Sequence, residues 1–187
     1  MWTSLISTQF LSEPLSFRKS NGKYLGLLLL LLCLPCRADD KVSGPPAKAD
    51  RIVVEKSTRT MTLMRDGKVL KAYKVALSRE PVGAKEREGD HKVPEGEYVV
   101  DSKNPHSRFH LALHISYPNA VDNERARKLG VKPGGNIEIH GLDNKYAWVG
   151  SLQRKVDWTD GCIAVTDSEI EEIWQLVAVG TPVEIRP

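Results

Sequence analysis

The chain is poor in cysteine and in aromatic side chains, and it has no long hydrophobic run. Three cysteines occur in 187 residues, and aromatic residues make up 6% of the total. The apolar stretch from Leu25 to Leu34 has about ten residues, roughly half of what a helix needs to cross a bilayer. These shortages argue against a disulfide-stapled scaffold and against a permanent membrane span, and the length suits one ordinary domain.

The first 38 residues have the layout of a secretory signal. A basic segment, RKSNGK, precedes the apolar stretch, and Ala38 ends the leader before two aspartates. This order predicts cleavage after Ala38 and export to the periplasm or cell envelope. A lipid anchor at Cys33 or Cys36 is an alternative, although neither cysteine follows a small residue.

Charge is distributed unevenly along the chain. Of the 27 Lys and Arg residues four lie within residues 1–38, and of the 24 Asp and Glu residues one lies there. The rest of the chain therefore carries 23 of each sign, with a formal net charge of zero. Because polyanions are held by basic side chains that neutralise phosphates, nucleic acid is disfavoured as a partner.

The remaining chain reads as a linker followed by one strand-rich domain. Residues 39–49 are rich in Pro, Lys and Asp and predict a solvated linker, and residues 50–187 form the predicted domain. Asp66-Gly67 between two alternating apolar segments predicts a tight hairpin, and residues 78–96 predict a long loop. The chain lacks the regular alternation of strands and helices that is typical of a parallel doubly wound sheet. The predicted class is mainly β (α+β) with one or two short helices.

Two segments carry helix signals. DNERARKLG predicts a short helix that is capped by Asp122 and stopped at Gly130. Thr166 and Glu169 have the spacing of a capping box, and the apolar face of the helix that follows runs on until Gly180.

Cys162 is the one thiol outside the leader, and it follows Gly161 where a polar turn meets an apolar strand. An unpaired thiol in an oxidising compartment is either a small buried hydrophobe or a reactive group. A reactive thiol needs a base nearby and ionises well below the value of about 8.5 of a free cysteine. His140 ends the strand-like NIEIH and is followed by Gly141, so it is the best candidate for that base.

Two short motifs resemble a known family. IEIHG (137–141) and TDGCIAV (159–165) are similar to the signature of the L,D-transpeptidase catalytic domain of the YkuD, or ErfK/YbiS/YcfS/YnhG, type. The resemblance extends from Arg51 to the end of the chain and includes GDHKVPEGEY, and SRFHLALHISYPNAVD further resembles the murein-acting YafK-like branch. It implies a transpeptidase-type β-sandwich or mixed-sheet domain.

The resemblance implies a role for each matching residue. Cys162 would be the nucleophile and His140 its base, the Gly141 carbonyl would orient the imidazole, and amides around Gly161 and Cys162 would form part of an oxyanion hole. Thr159 matches the hydroxyl position of the motif.

Other positions concern the walls of the site. Asp160 and Ala164 replace the His and Arg that are usual in the family, and a carboxylate close to the thiol would oppose its ionisation. The candidate substrate-binding residues are Thr159, Asp160, His114, Arg108 and Trp158.

The implied reaction is acyl transfer from a peptidoglycan stem peptide through a Cys162 thioester, with loss of D-alanine. The acceptor would be a second stem peptide or an envelope protein. Two alternatives stay open, namely hydrolysis by a carboxypeptidase or amidase of this family, and a silent murein-binding scaffold. The pattern implies no cofactor, and His110 and His114 lie about 13 Å apart along a strand, too far to share a metal ion.

Overall fold

A computed structural model describes residues 47–187. The predicted leader and most of the predicted linker lie outside the described residues, so the boundaries at Ala38 and Ala49 stay predictions. The strands are β1 (Arg51–Glu55), β2 (Thr60–Arg65), β3 (Lys68–Lys74), β4 (Gly96–Ser107), β5 (His110–Ile115), β6 (Glu138–His140), β7 (Ile163–Ala164) and β8 (Pro182–Arg186). The helices are α1 (Ala120–Leu129), α2 (Asp167–Leu176) and a 3-10 segment (Ala147–Lys155).

The eight strands form one mixed sheet in the order β3-β2-β1-β8-β4-β5-β6-β7. β1–β8 and β6–β7 are parallel pairs, and the other neighbours are antiparallel. Beyond β3 the chain crosses to the opposite end of the sheet, where Ala76 and Ala164 exchange two backbone hydrogen bonds of 2.9 Å. This contact covers one edge of the short strand β7. The predicted class, mainly β with a mixed sheet, is confirmed.

The hairpin between β2 and β3 turns at Asp66 and Gly67, as the sequence predicts. Both residues have positive φ, 50° and 71°. Two consecutive left-handed residues make the turn whose twist matches that of paired strands. Arg65 therefore pairs directly with Lys68 across the turn.

The core lies on one face of the sheet and is covered by α2. Alternate side chains of β1 and β8 are buried, with Ile52 and Val54 fully enclosed. From α2, Ile170 and Ile173 are fully buried in the same cluster. Each such side chain stabilises the fold by roughly 1.5–3 kcal/mol through burial, which fixes α2 against the sheet.

The helix starts and stops follow the sequence in part. α1 is capped by Asn119, and Asp122, the predicted cap, is instead the third helical residue of the capping box, because Asn119 has the extended backbone of a cap. Gly130 ends α1 with a φ of 68°, as predicted.

Thr166 and Glu169 form the predicted capping box of α2. The predicted stop at Gly180 is wrong, because buried Val177 already adopts an extended conformation that leads the chain toward β8.

Candidate active site

A cavity of about 670 Å³ opens beside β6 and β7, and both His140 and Cys162 line it. The parallel register pairs Ile139 with Ile163 and His140 with Ala164. Continued by one residue, this register places Cys162 level with Glu138 and diagonal to His140. Residues at such positions have side chains on the same face of a sheet. The strands that carry the two motifs are therefore neighbours.

His140 is held from three sides. Its Nδ1 lies 2.7 Å from the Gly141 carbonyl oxygen, and because a carbonyl can only accept, Nδ1 carries the hydrogen and Nε2 keeps its lone pair. The Phe109 ring stacks on the imidazole at 4.3 Å, and Trp158 meets it edge-on at 5.7 Å. Only 1% of His140 is exposed, and this burial lowers its pKa to about 4. The imidazole is therefore neutral near pH 7.

Gly141 is a position that only glycine fits. Its amide donates to the carbonyls of Phe109 and Leu111 at 3.1 and 3.2 Å. A Cβ built there would lie 2.7 Å from Asp167 Oδ1 and 3.0 Å from the Phe109 oxygen. Glycine therefore follows His140 in the motif because three segments of the chain pack closely around this position.

The thiol of Cys162 is directed toward Asn136. Its Sγ donates to the Asn136 carbonyl at 3.7 Å, and the described residues include no hydrogen bond between Sγ and His140. Burial raises the pKa of Cys162 to about 11, helped by the charges of Glu138 and Asp160 and opposed by the Glu138 backbone. This direction is opposite to the depressed pKa that the sequence predicts for a reactive thiol. The resting pair is a neutral thiol and a neutral imidazole.

The turn before Cys162 is tied together by Thr159. The Thr159 hydroxyl donates to the Cys162 carbonyl at 2.7 Å and accepts from the Gly161 amide at 3.4 Å. Thr159 is buried although its side chain faces the cavity rim. The hydroxyl of the motif therefore fixes the backbone around Cys162, and it engages one of the two amides that the resemblance assigns to an oxyanion hole.

Two further predicted residues line the cavity. Arg108 pairs with Asp143 at 3.2 Å, lies over the Phe109 ring at 4.6 Å and keeps 75% of its side chain exposed. The Trp158 indole nitrogen donates to Gln153 at 2.7 Å, which fixes the ring beside His140.

His114 is predicted to bind substrate but is not among the residues that line the cavity. Its Nδ1 lies 2.7 Å from Oδ1 of Asp101. Asp101 belongs to β4, which borders β5 on the opposite side from β6 and β7. His110 lies four residues before His114 on the same strand, and its Nε2 forms a hydrogen bond of 2.7 Å with Oε1 of Glu171. Trp148 is 80% exposed and does not line the cavity.

The loop of residues 78–96 supplies cavity residues that the sequence did not single out. Lys85 and Asp90 form a buried ion pair of 2.7 Å, and Lys85 lines the cavity. Arg79 and His91 also line it. The resemblance in GDHKVPEGEY pointed to this segment, but no spacing within it identifies which side chains face inward.

Asp160 lies at the rim between two groups from that loop. Its Oδ1 is 3.0 Å from His91 Nδ1 and 3.5 Å from an Arg79 nitrogen. The carboxylate is 66% exposed, so solvent weakens its effect on the thiol.

Replacing Asp160 with asparagine is expected to lower the pKa of Cys162 slightly. The carboxylate charge is one cause of the raised pKa of the thiol, and its loss also leaves the guanidinium of Arg79 without this partner. Because the group is exposed, we expect alkylation of Cys162 by iodoacetamide at pH 8 to rise only about twofold. Asp143→Asn, which removes another cavity carboxylate, serves as control. A slower reaction in Asp160→Asn would contradict the expectation.

His140 also makes the fold sensitive to acid. The unfolded imidazole takes up a proton near pH 6.5, whereas the buried one does so only near pH 4. The free energy of unfolding should therefore fall by about 1.4 kcal/mol per pH unit between these values, through this residue alone. In His140→Asn, urea denaturation at pH 7 and 4.5 should show a smaller loss than in the wild type. Equal losses in the two proteins would refute this.

Two negative observations apply to residues 47–187. No group of three or more His, Cys, Asp or Glu side chains there is arranged to hold a metal ion. No helix in this part of the chain has the length and apolar character of a bilayer span.

Comparisons with known proteins agree with the fold. A family model described as the YkuD L,D-transpeptidase catalytic domain matches residues 49–185. The Escherichia coli (strain K12) protein named "Putative L,D-transpeptidase YafK" is 27% identical over 174 residues, which cover 82% of this chain and 63% of that protein. The chain thus spans less than two thirds of this curated relative.

Solved structures include two similar proteins. A mutant of Pgp2, the helical cell shape determining protein of Campylobacter jejuni, is 25% identical with a TM-score of 0.56, covering 76% of this chain and 48% of that one. An L,D-transpeptidase from Xylanimonas cellulosilytica has a TM-score of 0.51 at 14% identity, covering 75% and 61%. At that identity, the second likeness concerns the fold alone.

Proposed function

The chain belongs to the YkuD family of L,D-transpeptidase catalytic domains, and from this premise we propose that it transfers an acyl group of a peptidoglycan stem peptide through a thioester on Cys162. The observation that carries the proposal is that Cys162 and His140 line one cavity, with the Nε2 lone pair of His140 left free by the bond from Nδ1 to Gly141. A nucleophile and an oriented base are the two parts that covalent acyl transfer requires.

The resting protonation states determine how the first step proceeds. With a thiol pKa of about 11 and an imidazole pKa of about 4, an ion pair is scarcely populated before substrate binds. Sγ has to turn from the Asn136 carbonyl toward Nε2 and give up its proton as it attacks. The substrate carbonyl becomes an oxyanion, its collapse expels the amine of D-alanine, and His140 returns the proton to that amine.

The charges around the cavity fit a peptide that carries carboxylates and amines. Arg79 and Arg108 are exposed cations at the rim, and Glu88 and Asp143 are carboxylates on the same walls. We assign Arg108 to a carboxylate of the stem peptide, because its planar fork matches that group. Phe109 and Trp158 pack against the imidazole, and their apolar rings would keep water from the thioester.

The proposal includes export, because peptidoglycan lies outside the cytoplasmic membrane. Support comes from the leader pattern in residues 1–38. Detection of the chain in the periplasmic fraction, with a mature end at Asp39, would test this part. The likeness to Pgp2 further favours a role in wall remodelling that sets cell shape, which a deletion strain would reveal by microscopy.

Incubation with purified muropeptides tests the reaction. A covalent adduct on the peptide that contains Cys162, followed by a new cross-link between two stems, is the expected result in mass spectrometry. Protein capped with iodoacetamide at Cys162 is the control. Loss of D-alanine with water as the only acceptor would identify a carboxypeptidase instead. If neither adduct nor product forms, the proposal fails and the alternative of a silent murein-binding scaffold remains.

A further inference from the structure

One peptide group joins the imidazole to a carboxylate that the motif does not include. The Gly141 carbonyl, which accepts from His140 Nδ1 at 2.7 Å, and the Leu142 amide belong to the same peptide unit. On its other side the Leu142 amide donates to Asp167 Oδ1 at 2.8 Å. A continuous chain of two short hydrogen bonds therefore runs from Asp167 through the peptide to His140.

We propose that Asp167 is a positioning residue for His140, acting through the Gly141–Leu142 peptide to orient the imidazole and stabilise its protonated form. The inference rests on the proposed function for its role in acyl transfer. Asp167 itself touches neither the thiol nor the cavity, since it is absent from the cavity lining.

The physical basis is polarisation of the peptide. A carboxylate that accepts from a peptide N–H draws the amide proton and makes the carbonyl of that peptide a stronger acceptor, and hydrogen bonds in such a chain strengthen each other. When Cys162 attacks, its S–H bond breaks, a C–S bond forms and the proton moves to Nε2. The positive charge that arises on His140 is then stabilised by the hydrogen bond from Nδ1–H to the polarised Gly141 carbonyl. The negative charge of Asp167 stands behind that carbonyl.

The fold places Asp167 there in a fixed position. It is the first residue of α2, directly after the N-cap Thr166, so the capping box fixes its backbone. Within the part of the chain that the structure describes, Asp167 takes part in no ion pair that would divert its charge. The absence of a Cβ at Gly141 lets the carboxylate approach, since a Cβ would lie 2.7 Å from Oδ1.

Arg108 is the charged group that opposes this arrangement. Burial is the largest cause of the lowered pKa of His140, and the guanidinium of Arg108 lowers that pKa further. The hydrogen bond to the Gly141 carbonyl raises it. The two aromatic rings that pack against the imidazole, Phe109 and Trp158, carry no charge. Asp167, through the Gly141–Leu142 peptide, is the anion that a chain of hydrogen bonds connects to the imidazole.

A purely structural role must be distinguished from this one. Asp167 could simply tie the loop after β6 to the start of α2 through its bond to Leu142. Asparagine at this position keeps an acceptor oxygen of the same size but removes the charge, and alanine removes both. The two roles therefore predict different behaviour for Asp167→Asn.

The experiment measures the rate at which iodoacetamide alkylates Cys162 in the full-length chain between pH 6 and 10, read on the Cys162 peptide so that Cys33 and Cys36 do not contribute. This readout does not require turnover, so it is independent of the proposed function. For Asp167→Asn we expect a rate at pH 7 about threefold below the wild type, because a general base that is weaker by about one pKa unit transmits only about half of that change to the rate, with an unchanged melting temperature and an unchanged Nδ1–H tautomer by NMR. Glu171→Gln, elsewhere on α2, should react like the wild type.

Three outcomes decide the question. A slow Asp167→Asn with a fold and tautomer like those of the wild type supports the proposal. A normal rate in Asp167→Asn together with a slow, less stable Asp167→Ala overturns it in favour of a structural tie, and normal rates in both variants overturn it altogether. If Asp167→Asn does not fold, Asp167→Ser, which also offers a neutral acceptor at a helix start, takes its place. If Cys162 of the wild type is alkylated but the wild type forms no product from muropeptides, the result counts against the proposed function and not against this inference.

Discussion

Replacing Cys162 with serine is expected to abolish acyl transfer, with a loss of at least about a thousandfold in kcat/KM. The neutral imidazole of His140, with a pKa of about 4, is a weak base, and it already faces a thiol whose pKa is raised to about 11. A hydroxyl is a much weaker acid than a thiol, so the same imidazole cannot remove its proton. Release of D-alanine from muropeptides, followed by mass spectrometry, measures the effect.

The serine variant should keep the fold, which makes its failure informative. Oxygen is smaller than sulfur, and the side chain loses only the long bond from Sγ to the Asn136 carbonyl. We therefore expect a melting temperature within a few degrees of the wild type. A serine variant that retains activity within tenfold would contradict the proposed nucleophile and would require another residue in the cavity to form the covalent bond.

The sequence predicts well whatever depends on nearest neighbours in the chain. The capping box of Thr166 and Glu169 and the hairpin at Asp66-Gly67 involve backbone groups only a few residues apart, so spacing alone defines them. Cap and stop positions that depend on tertiary packing were predicted less well. The end of α2 is an example, because Val177 leaves the helix to enter the core.

The electrostatics of the site could not be predicted in the same way. The sequence predicts that His140 and Cys162 each lie at the end of a strand, and the register of β6 and β7 makes those strands neighbours. From the sequence, a reactive thiol is expected to have a depressed pKa, whereas burial by segments distant in the chain raises the pKa of Cys162. His140 is covered by Phe109 from the β4–β5 turn and by Trp158 from the loop before β7. Alternation along β5 similarly could not show that His114 would meet Asp101 outside the cavity.

Replacing Gly161 with alanine is expected to damage both the fold and the site. Gly161 has a φ of 134°, which a residue with a Cβ rarely adopts, and its Cβ would lie 3.0 Å from the Lys92 carbonyl oxygen and 3.1 Å from Ile137 Cδ1. Since the nearest atom belongs to backbone, relief requires the turn itself to move. Strain and overpacking together should cost about 2–4 kcal/mol of unfolding free energy, as measured by urea denaturation.

The loss of activity should exceed the loss of stability, because Gly161 is bonded directly to Cys162, the proposed nucleophile. A displacement of about 1 Å at Cys162 would reduce acyl transfer by about a hundredfold even in the fraction that folds. Gly67→Ala is the matched control, since Gly67 also has positive φ, 71°, but no atom lies within 4 Å of its Cβ position. That variant should lose about 1 kcal/mol and keep full activity, because it carries the backbone strain without the collision. If both alanine variants lost stability and activity equally, close packing against the Lys92 carbonyl would not be the reason for glycine before Cys162.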